Sequence, residues 1–284
     1  MATASSDEER YFWKEMMAVF FCRELEDGDR VASGANTHVT TAACLMAQKS
    51  HAPNLKLQLG GGCFLVNVAD TEVERIPRTS VEFGISRWAD AYYDHPDTFM
   101  MFGPPGGRDY QWNRDKYRST NKYFVGDKFF VGGIQADRYG NVNLIGISDG
   151  EGGFAFRGPG TIGISDVMTV YESYIFLTAH TPERLVEKVD FVSYPGWEAW
   201  DTRDHFIGRG PKYIVTPSAV FSRNPTTGVA QLQMAFPGNT PTNIEARTGF
   251  EYEVADDFSY VPKPSASELA LLRNEIDKDS ILQT

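Results

Sequence analysis

The chain has 284 residues and a formal net charge of −11 at pH 7. This length suits one large domain or two small ones, and it allows enough apolar burial for folding without covalent staples. The negative charge repels nucleic-acid phosphates and anionic lipid, so we expect neither nucleic acid nor a membrane as a partner. The three cysteines form no Cys-x-x-Cys pair and no Cys/His cluster, which argues against disulfides and predicts no metal site.

The beginning of the sequence is polar and acidic, and no apolar run approaches the roughly 18 residues that span a bilayer. We therefore expect a cytoplasmic protein. Any site for an anionic ligand must be a local exception to the acidic surface, built from Arg, Lys and backbone N–H groups.

The first half of the chain alternates helices and strands. Apolar residues at helical spacing predict an amphipathic helix over 13–21. A short strand at 30–32 then runs into Gly34, and a helix is predicted over 39–48. A strand at 55–59 ends in Gly60, Gly61 and Gly62. Two more buried strands are predicted at 98–102 and 128–131, and the second runs into Gly132 and Gly133.

A polar, aromatic stretch at 103–127 separates these last two strands. Long loops are more often functional than idle, so we interpret it as a lid, with a surface insertion or partner contact as the equal alternative.

The second half predicts strands at 171–177, 189–192, 213–215 and 231–234. Thr181 followed by Pro182 predicts the start of a helix, with Thr as N-cap and Pro at the first helical position. Ser265 and Glu268 have the spacing of a capping box and predict a terminal helix through Ile276.

This order predicts the α/β class, with an open, mostly parallel sheet, helices on both faces and a single domain over 1–284. Parallel sheets bind ligands outside the carboxyl ends of their strands. Three strands here end in glycine, so we expect the ligand site where Gly34, Gly60 and Gly132 collect.

Two further glycine-rich stretches carry candidate site residues. The sequence GGIQADRYGNVN runs from Gly132 to Asn143, and its Asp137 predicts a tight turn in which Asx side chains bond the local backbone. The sequence FRGPGTIG contains Gly158 and Gly160, whose N–H groups at this spacing are able to aim at one oxygen, as in an oxyanion hole. No Gly-Lys-Ser/Thr follows, which excludes a P-loop.

The stretch from Gly132 to Asn143 resembles the GGAxxDxxGNVN signature of the family I CoA-transferases. The sequences KVDFVSYPGW at 188–197, GRGP at 208–211, VTPSAVF at 215–221 and TGFEYEV at 248–254 resemble the β subunit of glutaconate CoA-transferase, as does the end of the chain over 269–277. The matches are collinear over nearly the whole chain, and only residues 70–127 align poorly.

The resemblance implies the CoA-transferase (NagB/RpiA-like) fold and an acyl-CoA substrate, so that coenzyme A arrives as part of the substrate and no tightly bound cofactor is needed. It implies a homologous α subunit, in a heterodimer or an α2β2 heterotetramer, with the site at the junction. It also implies substrate or CoA binding by the glycine loops. The implied residues are Gly34, Asn36, Gly60, Gly61, Gly62, Gly132, Gly133, Asn143, Gly158 and Gly160.

The sequence departs from the family at its nucleophile. The transferases use a β-subunit glutamate at the end of the second strand, which attacks the thioester. Aligning His51-Ala52-Pro53 with the family's Tyr-Ala-Pro places that glutamate at Gly60, and no carboxylate occurs from 50 to 69. A CoA shuttle through this position is therefore excluded, and no catalytic residue is assigned on this chain; we expect the acid or base on the partner subunit.

Four interpretations follow. The first is a hydrolase that opens a cyclic or β-dicarbonyl acyl-CoA, because the resembling ring-opening CoA hydrolases also lack the glutamate. The second is a glutaconyl-CoA-type decarboxylase that uses Cys63, three residues past Gly60. The third is a CoA-transferase with another carboxylate, such as Glu151. The fourth is a non-catalytic binding subunit. His38 and His205 lack the spacing of a triad or metal site, and we interpret them as structural or surface residues. Arg203 and Arg209 are candidates to contact an acidic substrate or a CoA phosphate, with exposed, solvated side chains as the commoner alternative.

Overall fold

The computed structural model describes residues 12–34, 38–59, 64–76, 89–92, 127–161, 164, 171–202 and 210–283. The described strands are β1 (Arg30–Ser33), β2 (Lys56–Leu59), β3 (Phe64–Val66), β4 (Ala89–Tyr92), β5 (Lys128–Gly132), β6 (Gln135–Asp137), β7 (Val142–Asn143), β8 (Gly146–Ser148), β9 (Phe154–Arg157), β10 (Glu172–Phe176), β11 (Leu185–Val186), β12 (Gly210–Val215), β13 (Ala219–Arg223), β14 (Ala230–Ala235) and β15 (Glu253–Tyr260). The described α-helices are α1 (Trp13–Arg23), α2 (His38–Lys49), α3 (Trp197–Thr202), α4 (Pro241–Glu245) and α5 (Ala266–Leu271).

Ten strands form one sheet in the order β15-β14-β13-β12-β10-β5-β1-β2-β3-β4. The five central strands, from β12 to β2, run parallel to one another. Antiparallel pairs flank them at β12–β13, β13–β14, β2–β3 and β3–β4. The predicted α/β class with a mostly parallel sheet is confirmed, and the predicted strands at 30–32, 55–59, 128–131, 171–177, 213–215 and 231–234 all lie in this sheet.

One face of the sheet is covered by α1 and α2, which pack against each other and share a core with the end of the chain. Both helices form where the sequence predicts them. The burial of α1 is continuous from Glu15 to Cys22 instead of following one stripe. The cause is that α1 contacts the sheet, α2 and the C-terminal segment at once, so almost every side of the helix is covered.

The second face carries its own core, which includes Trp197 and Trp200 of α3. Here the sequence predicts helices, but the described cover is largely a three-stranded sheet, β11-β6-β7, with the short helices α3 and α4. A separate two-stranded sheet, β8–β9, follows β7 along the chain.

Two predicted elements of the second half are wrong. Thr181 starts no helix, because a single turn, in which Arg184 and Leu185 donate to the Thr181 carbonyl, leads directly into β11. Residues 189–192 form no strand, since their backbone N–H groups bind side chains instead of a neighbouring strand. Val189 donates to Asp137, and Asp190 donates to the Gln135 side chain.

The C-terminal helix begins as predicted, with a capping box between Ser265 and Glu268. After α5 the chain continues as a π-helical segment, Leu272–Ile276, and ends in a 3-10 turn, Ile281–Gln283. Among the described residues, no helix combines the length and apolarity that crossing a bilayer requires. The predicted strand at 98–102 lies outside the described residues, as does the 103–127 stretch apart from Asp127.

Candidate functional site

The carboxyl ends of the central parallel strands meet at one edge of the sheet, which we call the glycine edge. Gly34 follows β1, and Gly132 ends β5 with Gly133 directly after it. Because β1 is paired in parallel with both β2 and β5, the carboxyl end of β2 belongs to the same edge. Asn36, Gly60, Gly61 and Gly62 lie outside the described residues, but β2 ends at Leu59, immediately before them.

The glycine pair after β5 is required by packing within the chain. A Cβ atom at Gly133 would lie 2.7 Å from Val142 Cγ1 and 2.9 Å from Leu177 Cδ2, closer than carbon atoms approach. One at Gly132 would lie 3.3 Å from the ring of Phe176. The Gly133 N–H donates to the Phe176 carbonyl at 3.0 Å. These glycines therefore let β7 and the end of β10 close over the glycine edge.

The turn that follows is the predicted Asx turn. The buried carboxylate of Asp137 accepts from the backbone N–H groups of Tyr139 and Asn141, both at 3.0 Å, and from the Asn141 side chain. Burial raises the pKa of Asp137, and the hydrogen bonds it accepts oppose that shift. All of these contacts lie within the fold, so Asp137 fixes the turn and is not positioned as a general base.

Asn143 is fully buried, and its amide makes every hydrogen bond of which an amide is capable. Its nitrogen donates to Gln135 Oε1 and to the Gly146 carbonyl, both at 2.7 Å. Its oxygen accepts from the Ile145 and Gly146 N–H groups. The contact to substrate that the sequence predicts for Asn143 is thus replaced, in this structure, by contacts that hold the base of the β8–β9 hairpin.

The stretch with Gly158 and Gly160 lies directly beside the residue that follows Gly133. A Cβ atom at Gly158 would lie 2.1 Å from Ile134 Cδ1 and 2.3 Å from the Leu144 carbonyl oxygen, so only glycine fits. The two segments predicted from the sequence, 132–133 and 158–160, are therefore adjacent in space.

The N–H groups of this stretch, however, do not converge on one oxygen. Gly158 N–H donates to the Ile145 carbonyl at 2.8 Å, and Gly160 N–H donates to the Leu144 carbonyl at 3.0 Å. In the isolated chain both predicted oxyanion donors are occupied within the fold. An oxyanion bound here requires either other N–H groups or a rearrangement of this loop.

His180, which follows β10 at the same edge, has no distinguishing motif in the sequence. Its ring is buried, with Nδ1 2.7 Å from Thr216 Oγ1 and Nε2 3.1 Å from Thr248 Oγ1. Both hydroxyls also donate to backbone carbonyls, Thr248 to that of Ile244 and Thr216 to that of Ala219. Burial, reinforced by the nearby positive charge of Arg247, lowers the pKa of His180 to about 4, so the imidazole is neutral at pH 7. The one indication of His180 in the sequence is that it follows a predicted buried parallel strand.

The remaining candidates divide between exposed and undescribed positions. Glu151 is exposed at the tip of the β8–β9 hairpin, where Asp149 holds the turn by accepting from the Glu151 and Gly153 N–H groups. His38 begins α2. Cys63, Arg203, His205 and Arg209 lie outside the described residues.

Burial raises the pKa of Cys22 to about 12 and that of Cys44 well above its usual value, so neither thiol is activated. The described residues contain no group of three or more His, Cys, Asp or Glu side chains arranged to hold a metal ion.

The mostly parallel sheet with helices places the chain in the α/β class. Comparison with known proteins shows which α/β proteins it resembles. The chain is homologous to the β-type subunit of glutaconate CoA-transferase from Acidaminococcus fermentans, with 24% identity over 277 residues, which is 96% of this chain and 95% of that relative. The crystal structure of that enzyme matches with a TM-score of 0.77 at 22% identity, covering 97% of this chain and 98% of the other. The resemblance and fold predicted from the sequence are confirmed.

Two further solved structures share the fold. The decarboxylase AibA/AibB matches with a TM-score of 0.73 at 21% identity, covering 95% of this chain and 97% of the other. IpdAB of Rhodococcus jostii RHA1 matches with a TM-score of 0.73 at 17% identity, covering 96% and 98%. No protein-family model matches the chain.

Proposed function

We propose that this chain is the β subunit of a two-subunit enzyme that hydrolyses an acyl-CoA, with a cyclic or β-dicarbonyl acyl group as the substrate class. The observation that carries the proposal is the combination of two facts. The chain is homologous over nearly its whole length to one subunit of a CoA-transferase, yet Gly60 occupies the position that we align with the catalytic glutamate.

The position of Gly60 is supported by the strand that precedes it. Strand β2 occupies Lys56–Leu59 and pairs with β1 in continuous register, from Arg30–Lys56 to Ser33–Leu59, so Gly60 is the first residue past the strand. Glycine has no side chain with which to attack a thioester. The covalent route through this position is therefore closed, and the direct attack of water becomes the simplest chemistry for the same bound thioester.

Hydrolysis of a cyclic β-keto acyl-CoA balances with water alone. Water adds to the ring carbonyl, the bond between that carbon and the α-carbon of the thioester breaks, and the resulting enolate takes a proton at the α-carbon. The product is an open-chain acyl-CoA with a new carboxylate, heavier by one water. Because the Gly133, Gly158 and Gly160 N–H groups bind carbonyls within the fold, other backbone N–H groups at the glycine edge, or a rearranged 158–160 loop, would stabilise the oxyanions, and the partner chain would supply the base.

Two other reactions have a specific observation in their favour. CoA transfer is favoured by the activity named for the glutaconate CoA-transferase relative, with Glu151 as the candidate carboxylate. Decarboxylation is favoured by the name of AibA/AibB, with Cys63 as the candidate residue. Strands β2 and β3 pair antiparallel with Leu59 opposite Phe64, so the chain reverses direction between these two residues, and Cys63 directly precedes β3 in the sequence. A non-catalytic binding role is the remaining alternative.

The test combines the purified chain with its co-encoded α-type subunit and three acyl-CoA probes: 2-oxocyclohexanecarboxyl-CoA, acetoacetyl-CoA and glutaconyl-CoA. Free thiol and the mass of the CoA product are followed with and without acetate as the acceptor. Ring hydrolysis of 2-oxocyclohexanecarboxyl-CoA gives a CoA product heavier by one water, and C–C hydrolysis of acetoacetyl-CoA gives acetyl-CoA and acetate, in both cases without dependence on added acetate. Free thiol released without acetate indicates hydrolysis of the thioester itself. Acetate-dependent formation of acetyl-CoA indicates transfer, loss of carbon dioxide indicates decarboxylation, and no turnover of any probe indicates a binding role.

A matched pair of variants examines the glycine directly. We expect Gly60→Glu to accumulate covalently bound CoA when it is incubated with substrate, because it restores a carboxylate at the strand end, whereas Gly60→Gln and the unaltered chain accumulate none. Intact-protein mass spectrometry after quenching measures the adduct. A CoA or acyl adduct trapped on a glutamate of the unaltered chain would overturn the proposed hydrolysis.

A further inference from the structure

The β8–β9 hairpin presents an apolar surface to solvent. All four residues of β9 are exposed, with Phe154 at 43% and Phe156 at 49% exposure. Val192 beside it is 57% exposed, and Phe191 packs on Phe154 with the ring centroids 5.5 Å apart. We call Phe154, Phe156, Phe191 and Val192 the hairpin patch. Large apolar side chains gathered on a surface usually mark an interaction site.

The hairpin has little cover of its own. It forms a separate sheet of two strands, in which β9 pairs with β8 alone among the described strands. Two-stranded sheets are marginally stable in water unless a further layer packs on them. A strand exposed along its whole length, with two phenylalanines, is the kind of element that a partner covers.

The hairpin is nevertheless held rigidly at its base. Asn143 binds Gly146 from one side, and the Ser148 N–H donates to Asp190 Oδ2 at 2.9 Å. The Arg157 guanidinium lies over the Phe154 ring and donates to the Gly158 carbonyl. The apolar surface is thus presented in one fixed orientation, which lowers the entropy cost of docking.

The patch is continuous with the glycine edge. Strand β9 runs directly into Gly158, which packs on Ile134, the residue after Gly133. A protein seated on the hairpin patch is therefore brought next to the site. The homologous glutaconate CoA-transferase protein is named as one subunit of its enzyme, and AibA/AibB is named as a pair.

We propose that the hairpin patch is the docking surface for the α-type subunit of the enzyme, a second chain of the same fold. The identity of the partner rests on the proposed function. The location of the docking surface rests on the exposure and geometry of the patch. Docking at this surface closes the glycine edge from the side of the 158–160 loop and brings the partner's acid–base residue to the substrate.

The test compares two double variants with closely matched exposure. Phe156→Arg/Val192→Arg alters the patch, whereas Val254→Arg/Tyr260→Arg alters β15, the last strand at one end of the described sheet, where the two side chains are 47% and 53% exposed. Binding to the purified α-type subunit is measured by sedimentation velocity. We expect the patch variant to weaken the complex at least 100-fold and the β15 variant to change it less than threefold. Equal weakening by both variants, or none by the patch variant, overturns the proposal.

Hydrogen–deuterium exchange of the unaltered chain gives a readout that requires no substitution. We expect slower exchange at residues 146–158 in the complex than in the chain alone. Unchanged exchange there in a formed complex overturns the docking surface while leaving the proposed function intact. If the complex protects the hairpin but turns over none of the acyl-CoA probes, the docking surface is supported and the proposed reaction is wrong. Self-association of the chain through the patch, abolished by Phe156→Arg/Val192→Arg, makes a second copy the occupant and overturns the proposed partner.

Discussion

His180 is held as a neutral imidazole by its surroundings. The ring is stacked on Phe221, with centroids 6.2 Å apart, and binds the Thr216 and Thr248 hydroxyls. Protonation would place a charge in this apolar site near Arg247, which is why the pKa falls to about 4.

We expect the free energy of unfolding to decrease as pH falls from about 6.5 to about 4. The unfolded chain binds the proton with a His pKa near 6.5, the folded chain only near 4, so acid favours unfolding across that window. The full effect is on the order of 3 kcal/mol, since each unit of pKa corresponds to about 1.4 kcal/mol. Urea unfolding of the chain and of His180→Gln from pH 4 to pH 8 measures it. The variant should lose this part of the pH dependence, whereas His51→Gln, at an exposed histidine, should keep it.

The glycines show what residue patterns reveal and what they conceal. The sequence correctly predicts that Gly132, Gly133 and Gly158 lie at strand ends and loops that need a small residue. The sequence cannot show whether the space left by the missing side chain is filled by a ligand or by a neighbouring side chain. In the structure Val142, Leu177 and Ile134 occupy that space.

At the scale of elements, an ion pair between a buried carboxylate and a partly exposed guanidinium joins α1 to the C-terminal segment. Glu15 of α1 is completely buried and receives two hydrogen bonds from Arg273 of the π-helical segment, at 2.7 and 2.8 Å. We expect Arg273→Met to lower the free energy of unfolding by about 2–4 kcal/mol, because it leaves a buried carboxylate without its cation. Chemical denaturation measures the change. Lys278→Met, which breaks an exposed pair with Glu72, is the control and should cost less than about 1 kcal/mol; equal losses would contradict the assignment.

The β8–β9 hairpin depends on Asn143 in the same way. Asn143→Ala removes four hydrogen bonds and leaves backbone groups of the half-buried Ile145 and the buried Gly146 unsatisfied, so we expect a loss of about 2–4 kcal/mol. Exchange at 146–158 should accelerate more than elsewhere. Asn54→Ala, at an exposed position that bonds Asp27, serves as the comparison. A uniform acceleration across the fold would show that Asn143 does not act on the hairpin specifically.

Element prediction succeeds where local signals and tertiary context agree, as in the capping box at Ser265 and the glycine-ended strand β5. It fails where side chains take over the backbone bonding. The N–H groups of Val189 and Asp190 bind Asp137 and Gln135, which lie 52 and 55 residues earlier in the chain. The apolar alternation over 189–192 is real, but the pairing partner that would make it a strand is absent among the described residues.

At the scale of the whole molecule, the proposed partner should stabilise the chain. A partner that binds only the folded state adds about 2.7 kcal/mol when its concentration is 100 times the dissociation constant. We therefore expect the melting temperature of the chain to rise on mixing with the α-type subunit, in calorimetry or near-ultraviolet circular dichroism. The Phe156→Arg/Val192→Arg variant should show no rise at the same concentrations. An unchanged melting temperature for the unaltered pair would contradict an obligate complex.

The sequence by itself determined the class of fold, the homology to the β-type chains of CoA-transferases and the absence of a carboxylate from residues 50–69, because these follow from residue identities and their order. Only the tertiary structure decided which polar groups are already occupied. Asn143, Asp137 and the Gly158 and Gly160 N–H groups bind within the fold, and Phe156 and Val192 face solvent. The physical reason is that hydrogen bonding and burial depend on neighbours distant in the chain, which no local pattern specifies.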